Sequence, residues 1–258
     1  MCIVLAIVIT FILLIIACWI NNASSVQKKE REKITIKELS MRGKSGDLLL
    51  FSCNDTGAFL PGWLRKIPFR TEWTHASILY IDPMTKIPYI WESTTLEDNV
   101  IDKISREKQR KGAQLVKLED RLKEYNGYCV VKFICPSFAQ TLGEEELNKR
   151  LDDIFKRHAD KRFNDSYVWI ALLIIIDFLN LHPNERAFKN MRRWICKKNS
   201  LICTELVSNT YRELGMWDHV DYTFHSNKKY PGTFLPHHFA MEYNLGDRKI
   251  VEEYEISV

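Results

Sequence analysis

The sequence contains no pair of cysteines in a CxxC arrangement, and this absence argues against a structural zinc site. Its 7 cysteines are odd in number and scattered, which is not typical of a disulfide framework, so reduced thiols and a cytosol-facing body are expected. The formal net charge is only +4, which is too small to indicate a nucleic-acid partner. No internal repeat is recognisable. What is present is a chain of 258 residues with 46% apolar content, enough for one domain with a sizeable core.

An N-terminal segment, residues 2–20, carries no charged side chain and is almost wholly apolar. A helix of that length approaches the thickness of a bilayer's hydrocarbon core, about 30 Å. A cleaved signal peptide is the alternative, but no Lys or Arg precedes the apolar run, and the run is long. We therefore predict an uncleaved transmembrane anchor over residues 1–22, with the bilayer as its partner.

Basic residues follow this segment at Lys28, Lys29, Arg31 and Lys33. By the positive-inside tendency they predict a single-pass membrane protein whose C-terminal body lies on the cytosolic side. The polar, mixed-charge residues 23–44 are interpreted as a juxtamembrane linker. A turn signal at Ser45-Gly46-Asp47, with Asp47 expected to order the turn, opens the main predicted domain over residues 45–245. Residues 246–258 are expected to form a C-terminal tail.

Apolar runs bounded by turn signals predict the strands of the body. The candidate ranges are 48–52, 73–81, 87–93, 114–118 and 128–135. Apolar residues at helical spacing predict helices over 142–158 and 203–214. The very apolar stretch 167–181 is interpreted as a buried helix, with a membrane-touching surface as the alternative.

The two strands on either side of Asp82-Pro83-Met84-Thr85 indicate a hairpin with a four-residue turn. That turn predicts the apolar pairs Ala76–Trp91, Ile78–Tyr89 and Tyr80–Ile87 on one face. On the other face, it sets His75 opposite Glu92, at about 4.5–5.5 Å between Cβ atoms. A carboxylate on one ring nitrogen fixes the histidine tautomer and leaves the other nitrogen as a base. A structural ion pair on the strand surface and a longer turn with a bulge are the alternatives.

Cys203 lies where the last predicted helix begins. Backbone N–H groups and the helix dipole favour a thiolate at such a position, and the N–H of Cys203 itself is placed to bind an oxyanion. The alternative is a buried cysteine that serves as a small apolar side chain. The adjacent His237 and His238 have no nearby cluster of Cys or carboxylate residues, so a loop or helix-start role is expected rather than metal binding.

The order of histidine, acid and late cysteine resembles the permuted papain-like group of the NlpC-type superfamily, which includes YiiX-like bacterial proteins and poxviral relatives. Four stretches carry the resemblance: Gly46-Asp47-Leu48, Thr74-His75-Ala76-Ser77, Trp91-Glu92-Ser93 and Cys203-Thr204-Glu205-Leu206-Val207. A weaker match is Lys161-Arg162-Phe163-Asn164-Asp165. The resemblance implies an α+β fold of the permuted papain-like type, with a small antiparallel sheet packed against helices and, here, one preceding transmembrane helix.

The resemblance further implies a thiol hydrolase, amidase- or peptidase-like, that cleaves an amide or ester bond of a peptide or lipid acyl substrate. Cys203 is then the nucleophile, His75 the base and Glu92 the residue that orients the base. Ser77, Thr204 and Trp73 are expected to line the substrate site, and no metal or cofactor is expected. The alternatives are a lipid acyltransferase or thioesterase on the same triad, and a non-catalytic membrane-bound binding module with the same fold.

Overall fold

A computed structural model of the protein describes most of the region that was expected to form the body. The described residues are 29–53, 72–95, 99–108, 111–133, 142–178, 185–197, 199–216, 236–239 and 252–257. The predicted anchor over residues 1–22 lies outside these ranges.

The sheet is built around β2 (Leu48–Cys53), whose uninterrupted apolar run is fully buried through Phe51. A strand that is buried on both faces needs apolar side chains at every position, and this run supplies them. It pairs antiparallel with β3 (His75–Ile81) on one side and with β6 (Gly127–Lys132) on the other. The sheet continues from β3 to β4 (Pro88–Thr94) and β5 (Gly112–Lys117), again antiparallel.

Short strands extend both edges of this central part. They are β1 (Lys33–Thr35), β7 (Arg162–Phe163), β8 (Ser200–Leu201) and β9 (Glu253–Ser257). The result is a 9-stranded sheet in the order β1-β9-β6-β2-β3-β4-β5-β7-β8. The pairs β1/β9 and β7/β8 are parallel, so the sheet is mixed. The prediction of a small antiparallel sheet preceded by a transmembrane helix is therefore wrong for the described part of the chain. The missed edge strands are short or rich in charge, and local apolar periodicity does not show them.

Strand contributions also come from outside the predicted catalytic domain. Residues 23–44, expected to form a linker, contain β1 and a helix α1 (Ile36–Arg42) that begins with a Thr35–Glu38 capping box. Residues 246–258, expected to form a tail, contain β9, which lies between β1 and β6. The segments on both sides of residues 45–245 therefore complete one sheet.

Helices cover both faces of the sheet. They are α1, α2 (Leu118–Glu124), α3 (Glu144–His158), α4 (Tyr167–Phe178), α5 (Glu185–Ile195) and α6 (Cys203–Glu213), with a 3-10 turn at Pro236–Phe239 that contains His237 and His238. On one face, α3 and α6 pack over a core that includes Leu50, Ile78 and Trp91. On the other face, Leu39 of α1 and Leu118 of α2 join a second core.

The predicted helices around the site have clear local causes. The helix predicted over 142–158 is confirmed as α3, which buries Leu147, Leu151, Ile154 and Phe155 on one face. Its first turn carries Glu144, Glu145 and Glu146, which favourably face the positive end of the helix dipole. Asp47 orders the turn before β2 as expected, since its carboxylate accepts the N–H of Lys44 at 2.7 Å.

The apolar helix α4 packs against protein in this structure. Its Trp169, Leu173 and Ile176 are buried in a cluster with Phe188 of α5 and Ile202. Within the ranges described above, none of the helices combines the length and apolarity that crossing a bilayer requires. The prediction of a single-pass membrane protein with a cytosolic catalytic body is therefore wrong for the described part of the chain.

The β3–β4 hairpin has a longer connection than predicted. Residues 82–87 link the strands, the N–H of Asp82 donates to Ile87 at 3.0 Å, and Lys86 has a positive φ of 56°. Trp91 is consequently paired with Ile78 rather than with Ala76, a register shifted by two residues from the predicted one. Because side chains alternate with a period of two, a shift of two leaves every residue on its predicted face.

Candidate active site

The candidate nucleophile, Cys203, is the first residue of α6. The carboxylate of Glu205 accepts the N–H of the N-cap residue Ile202 at 3.0 Å, which satisfies one of the N–H groups that a helix start leaves open. Arg192 of α5 in turn donates its Nε–H to Glu205 at 2.9 Å. The helix start that carries the thiol is therefore held from outside the helix.

The strand β8 leads directly into this helix start. Ser93 of β4 donates its hydroxyl to the carbonyl oxygen of Leu201 at 2.9 Å, in a buried position. The N–H of Asn164 donates to the same carbonyl oxygen at 3.1 Å. Asn164, within the weaker family-like stretch, is itself buried and donates its side-chain amide to Cys196 Sγ at 3.0 Å. These bonds fix the chain two residues ahead of Cys203.

His75 is the first residue of β3, so its ring lies where the strand enters the sheet. Its Nε2 is 2.9 Å from Glu92 Oε2. The ring is also hydrogen-bonded to the thiol of Cys203, and because Nε2 is engaged by Glu92, Nδ1 is the nitrogen left for that bond. The His75 side chain is 13% exposed and Cys203 is half-buried, so this contact borders solvent. The three residues Cys203, His75 and Glu92 are thus brought together from three different elements.

The contact between His75 and Glu92 is diagonal in the sheet. By the observed register, Glu92 lies across from Ser77, which is two residues further along β3 than His75. Diagonal neighbours on one sheet face remain within reach of long side chains, and Glu92 spans that separation. The predicted direct opposition of His75 and Glu92 is wrong, whereas their predicted common face is confirmed.

Glu92 is almost completely buried, at 1% exposure, and is surrounded by donors. Its Oε1 accepts from Arg121 Nε at 2.7 Å, from Arg121 Nη2 at 2.6 Å and from Gln114 Nε2 at 3.0 Å. Burial alone would raise the pKa of the carboxyl, but the charge of Arg121 and the hydrogen bonds from His75 and Gln114 lower it to about 2. Glu92 is therefore a carboxylate at neutral pH.

The thiol and the imidazole favour each other's charged form. Burial opposes the imidazolium, but the thiolate of Cys203 and the carboxylate of Glu92 outweigh it and raise the pKa of His75 to about 9. Burial likewise opposes the thiolate, yet the charge and hydrogen bond of His75 and the backbone N–H groups of Ala76 and Thr204 lower the pKa of Cys203 below its ordinary value. Both shifts favour a thiolate–imidazolium pair over the neutral thiol and imidazole.

Cys129 and Cys196, two further cysteines in the described ranges, differ from Cys203. Burial raises the pKa of Cys129 well above its ordinary value, and the nearby charge of Glu92 raises it further. Burial also raises the pKa of Cys196. Both are therefore thiols at neutral pH, which makes them internal references for the reactivity of Cys203. Within the same ranges, no group of three or more His, Cys, Asp or Glu side chains is placed to hold a metal ion.

Ser77, Thr204 and Trp73, the residues expected to line the substrate site, are all buried. Their exposures are 0%, 0% and 4%. The hydroxyls of Ser77 and Thr204 find no hydrogen-bond partner among the described residues. Their surroundings in this structure are protein rather than open solvent, and their contact with a substrate stays a prediction.

Arg121 is the functional neighbour that sequence reasoning missed. It lies in the basic stretch from Lys103 to Lys123, where the density of charged side chains by itself favours a solvated face. A local signal was nevertheless present, because Leu118, Arg121 and Leu122 have the i, i+3, i+4 spacing of one helix face. An arginine on the apolar face of a short helix needs a buried anionic partner, and Glu92 supplies it.

No known family model matches this chain, and no curated protein sequence is significantly similar to it. The resemblance to permuted papain-like enzymes therefore continues to depend on four short stretches and stays a prediction.

Proposed function

We propose that this protein is a cysteine-dependent hydrolase or acyltransferase that acts on an amide or ester carbonyl. The observation that supports the proposal is the hydrogen bond between the helix-start thiol of Cys203 and His75, whose Nε2 is held by a buried carboxylate. This arrangement combines an activated nucleophile, a proton carrier and a group that orients the carrier.

The first half-reaction begins with the thiolate of Cys203. Its sulfur attacks the carbonyl carbon and forms a C–S bond, while the carbonyl electrons move to the oxygen. As the tetrahedral species collapses, the bond to the leaving amine or alcohol breaks, and His75 delivers its Nδ1 proton to that leaving group. The products are a thioester on Cys203 and a neutral imidazole.

The second half-reaction releases the acyl group. The neutral His75 accepts a proton from water or from an acceptor amine or alcohol, whose oxygen or nitrogen then attacks the thioester carbonyl. Breaking the C–S bond returns the thiolate beside an imidazolium. Water as acceptor gives hydrolysis, and any other acceptor gives acyl transfer.

Glu92 takes up no proton in either half-reaction, because its pKa of about 2 keeps it ionised throughout. It orients the ring through Nε2 and stabilises the imidazolium. The N–H of Cys203 lies at the start of α6, where backbone donors point away from the helix, and its role is to bind the developing oxyanion. A donor of this kind contributes roughly 10²–10³-fold to the rate in other enzymes.

The test measures how fast the thiols of the full chain react with a small electrophile and with a small ester. Iodoacetamide at pH 7 should alkylate Cys203 at least about tenfold faster than Cys196 or Cys129, because the pKa of Cys203 is lowered whereas those of Cys196 and Cys129 are raised. A p-nitrophenyl ester should acylate Cys203, with a burst of nitrophenol equal to the enzyme concentration. Each modified residue is identified by peptide mass spectrometry.

Two variants define the outcome. Cys203→Ala should lose both the burst and turnover while its thermal unfolding stays near that of the parent protein. Cys196→Ala, a matched removal of a half-buried thiol, should retain both. Turnover that survives in Cys203→Ala would overturn the proposal. Equal alkylation rates for all three thiols would favour the alternative of a non-catalytic binding module.

A further inference from the structure

The carboxylate of Glu92 divides its two oxygens between different partners. Oε2 faces His75. Oε1 accepts from two nitrogens of the Arg121 guanidinium fork, Nε and Nη2, and from the side-chain amide of Gln114. An arginine that pairs side-on with a carboxylate commonly engages both oxygens. Here the fork closes on one oxygen, which leaves the other available to the imidazole.

We propose that Arg121 and Gln114 are positioning residues that keep Glu92 charged and in the one rotamer that directs Oε2 at His75. The proposal rests on the function proposed above, since it assigns these residues to the support of the same thiolate–imidazolium pair. Neither residue touches the reacting atoms. Both act through Glu92 on His75, and through His75 on Cys203.

Burial makes this support necessary. Arg121, Gln114 and Glu92 are 0%, 1% and 1% exposed, so water does not solvate the carboxylate. A buried carboxylate without a cation or donors would take up a proton or turn away, because the desolvation cost of the free charge is large. With Glu92 neutral or turned, the imidazolium of His75 would lose its anionic partner on Nε2.

Groups from four elements in the described part of the chain face Glu92. They are His75 from β3, Gln114 from β5, Arg121 from α2 and the buried thiol of Cys129 from β6. Cys129 stays protonated at neutral pH because burial and the charge of Glu92 raise its pKa. Arg121 is thus the group in this set whose charge is permanent, and it holds Glu92 ionised whether or not His75 is protonated.

The test measures the rate of Cys203 alkylation by iodoacetamide between pH 4 and 10 and needs no substrate. In the parent protein, the midpoint of this curve should lie below that of an ordinary thiol. Arg121→Met should move the midpoint upward by about one pH unit or more, because Glu92 then no longer supports the imidazolium and an adjacent opposite charge typically shifts a pKa by about 1–3 units. Gln114→Met, which removes only a neutral donor, should move it in the same direction by less.

Two further variants separate positioning from general damage. Lys123→Met removes the same charge from the same helix at an exposed site and should leave the curve unchanged. Arg121→Lys keeps the charge without the fork and should give a midpoint between those of the parent and Arg121→Met. Folding of each variant is checked by circular dichroism.

A folded Arg121→Met whose curve coincides with that of the parent would overturn the proposal. If Arg121→Met does not fold, unchanged curves for both Arg121→Lys and Gln114→Met would overturn it instead. These outcomes are distinct from failure of the proposed function, which would appear in the parent protein itself as a Cys203 no more reactive than Cys196.

Discussion

Tyr211 of α6 donates its hydroxyl to the carbonyl oxygen of Gly46 at 2.9 Å, inside the core. Gly46 lies in the turn that precedes the central strand β2, so the hydrogen bond joins the helix that carries Cys203 to the start of the sheet. A second buried bond supports the same helix, from Trp91 Nε1 of β4 to Thr210 Oγ1 at 3.2 Å. Hydrogen bonds with the turn before β2 and with β4 therefore help apolar packing to fix the direction of α6, and with it the position of Cys203.

Tyr211→Phe should destabilise the protein by about 1–3 kcal/mol, because it leaves the buried Gly46 carbonyl without its donor while preserving the ring. Urea unfolding measures the loss. Tyr254→Phe is the matched control, since it removes a hydroxyl whose hydrogen bonds to Arg42 and Glu252 are exposed, and its effect should stay within about 0.5 kcal/mol. Equal losses of unfolding free energy in the two variants would show that the buried hydrogen bond to Gly46 stabilises the protein no more than an exposed one.

The thiolate–imidazolium pair predicts a bell-shaped dependence of kcat/KM on pH. On the alkaline side, the imidazolium of His75 is lost as the pH rises through about 9, and the leaving group is then left without its proton donor. On the acid side, activity falls as the Cys203 thiolate is protonated, below the ordinary range of a thiol because its pKa is lowered. Each limb should fall about tenfold per pH unit.

The profile can be measured with a p-nitrophenyl ester in one buffer of constant ionic strength. Because the thiol and the imidazole interact directly, the two limbs belong to the pair rather than to either residue alone. A profile that rises only above the pKa of an ordinary thiol would mean that Cys203 is not ionised at rest, and the ion-pair interpretation would then be wrong.

The carboxylate of Glu205 holds the start of α6. Glu205→Ala removes the acceptor of the Ile202 N–H and leaves Arg192 without its carboxylate, so it should cost about 2–3 kcal/mol of unfolding free energy. Glu213→Ala, near the other end of the helix, removes a more exposed carboxylate that pairs with Arg157 and His158 and should cost less than about 1 kcal/mol.

A second measurement on these two variants tests whether the helix start affects the reactivity of Cys203. Glu205→Ala should also slow iodoacetamide alkylation of Cys203 at neutral pH, because a loosened first turn presents fewer backbone N–H groups to the thiolate. Glu213→Ala should not. An alkylation rate unchanged in Glu205→Ala would restrict Glu205 to a role in stability.

The parts of the fold that local patterns encode were predictable from the sequence. The apolar positions of α3 recur at helical spacing, and the strands on either side of Asp82 carry apolar residues on a common face. That face assignment was enough to place His75 and Glu92 together, because it survives a register shift of two residues. The shift itself was not predictable, since it follows from the longer connection over residues 82–87 and the left-handed backbone at Lys86.

Long-range pairings were the other part that the sequence did not indicate. β1 and β9 are short, carry charged residues and are more than two hundred residues apart, so each has no partner within a local window. Arg121 was hidden for a similar reason, because its partner Glu92 lies on a strand that no helical pattern in residues 118–124 reveals. Burial of a charge depends on what the fold brings to it, and composition alone suggested a solvated surface.

The pairing of β9 between β1 and β6 has a consequence for synthesis of the chain on the ribosome. Until residues 253–257 have been made, the edge of β6 has no strand beside it, and β1 has nothing to pair with. An unpaired strand edge is a template for other chains. The nascent protein therefore has to pass through a stage in which most of its core can form while one flank of its sheet is open to misassembly.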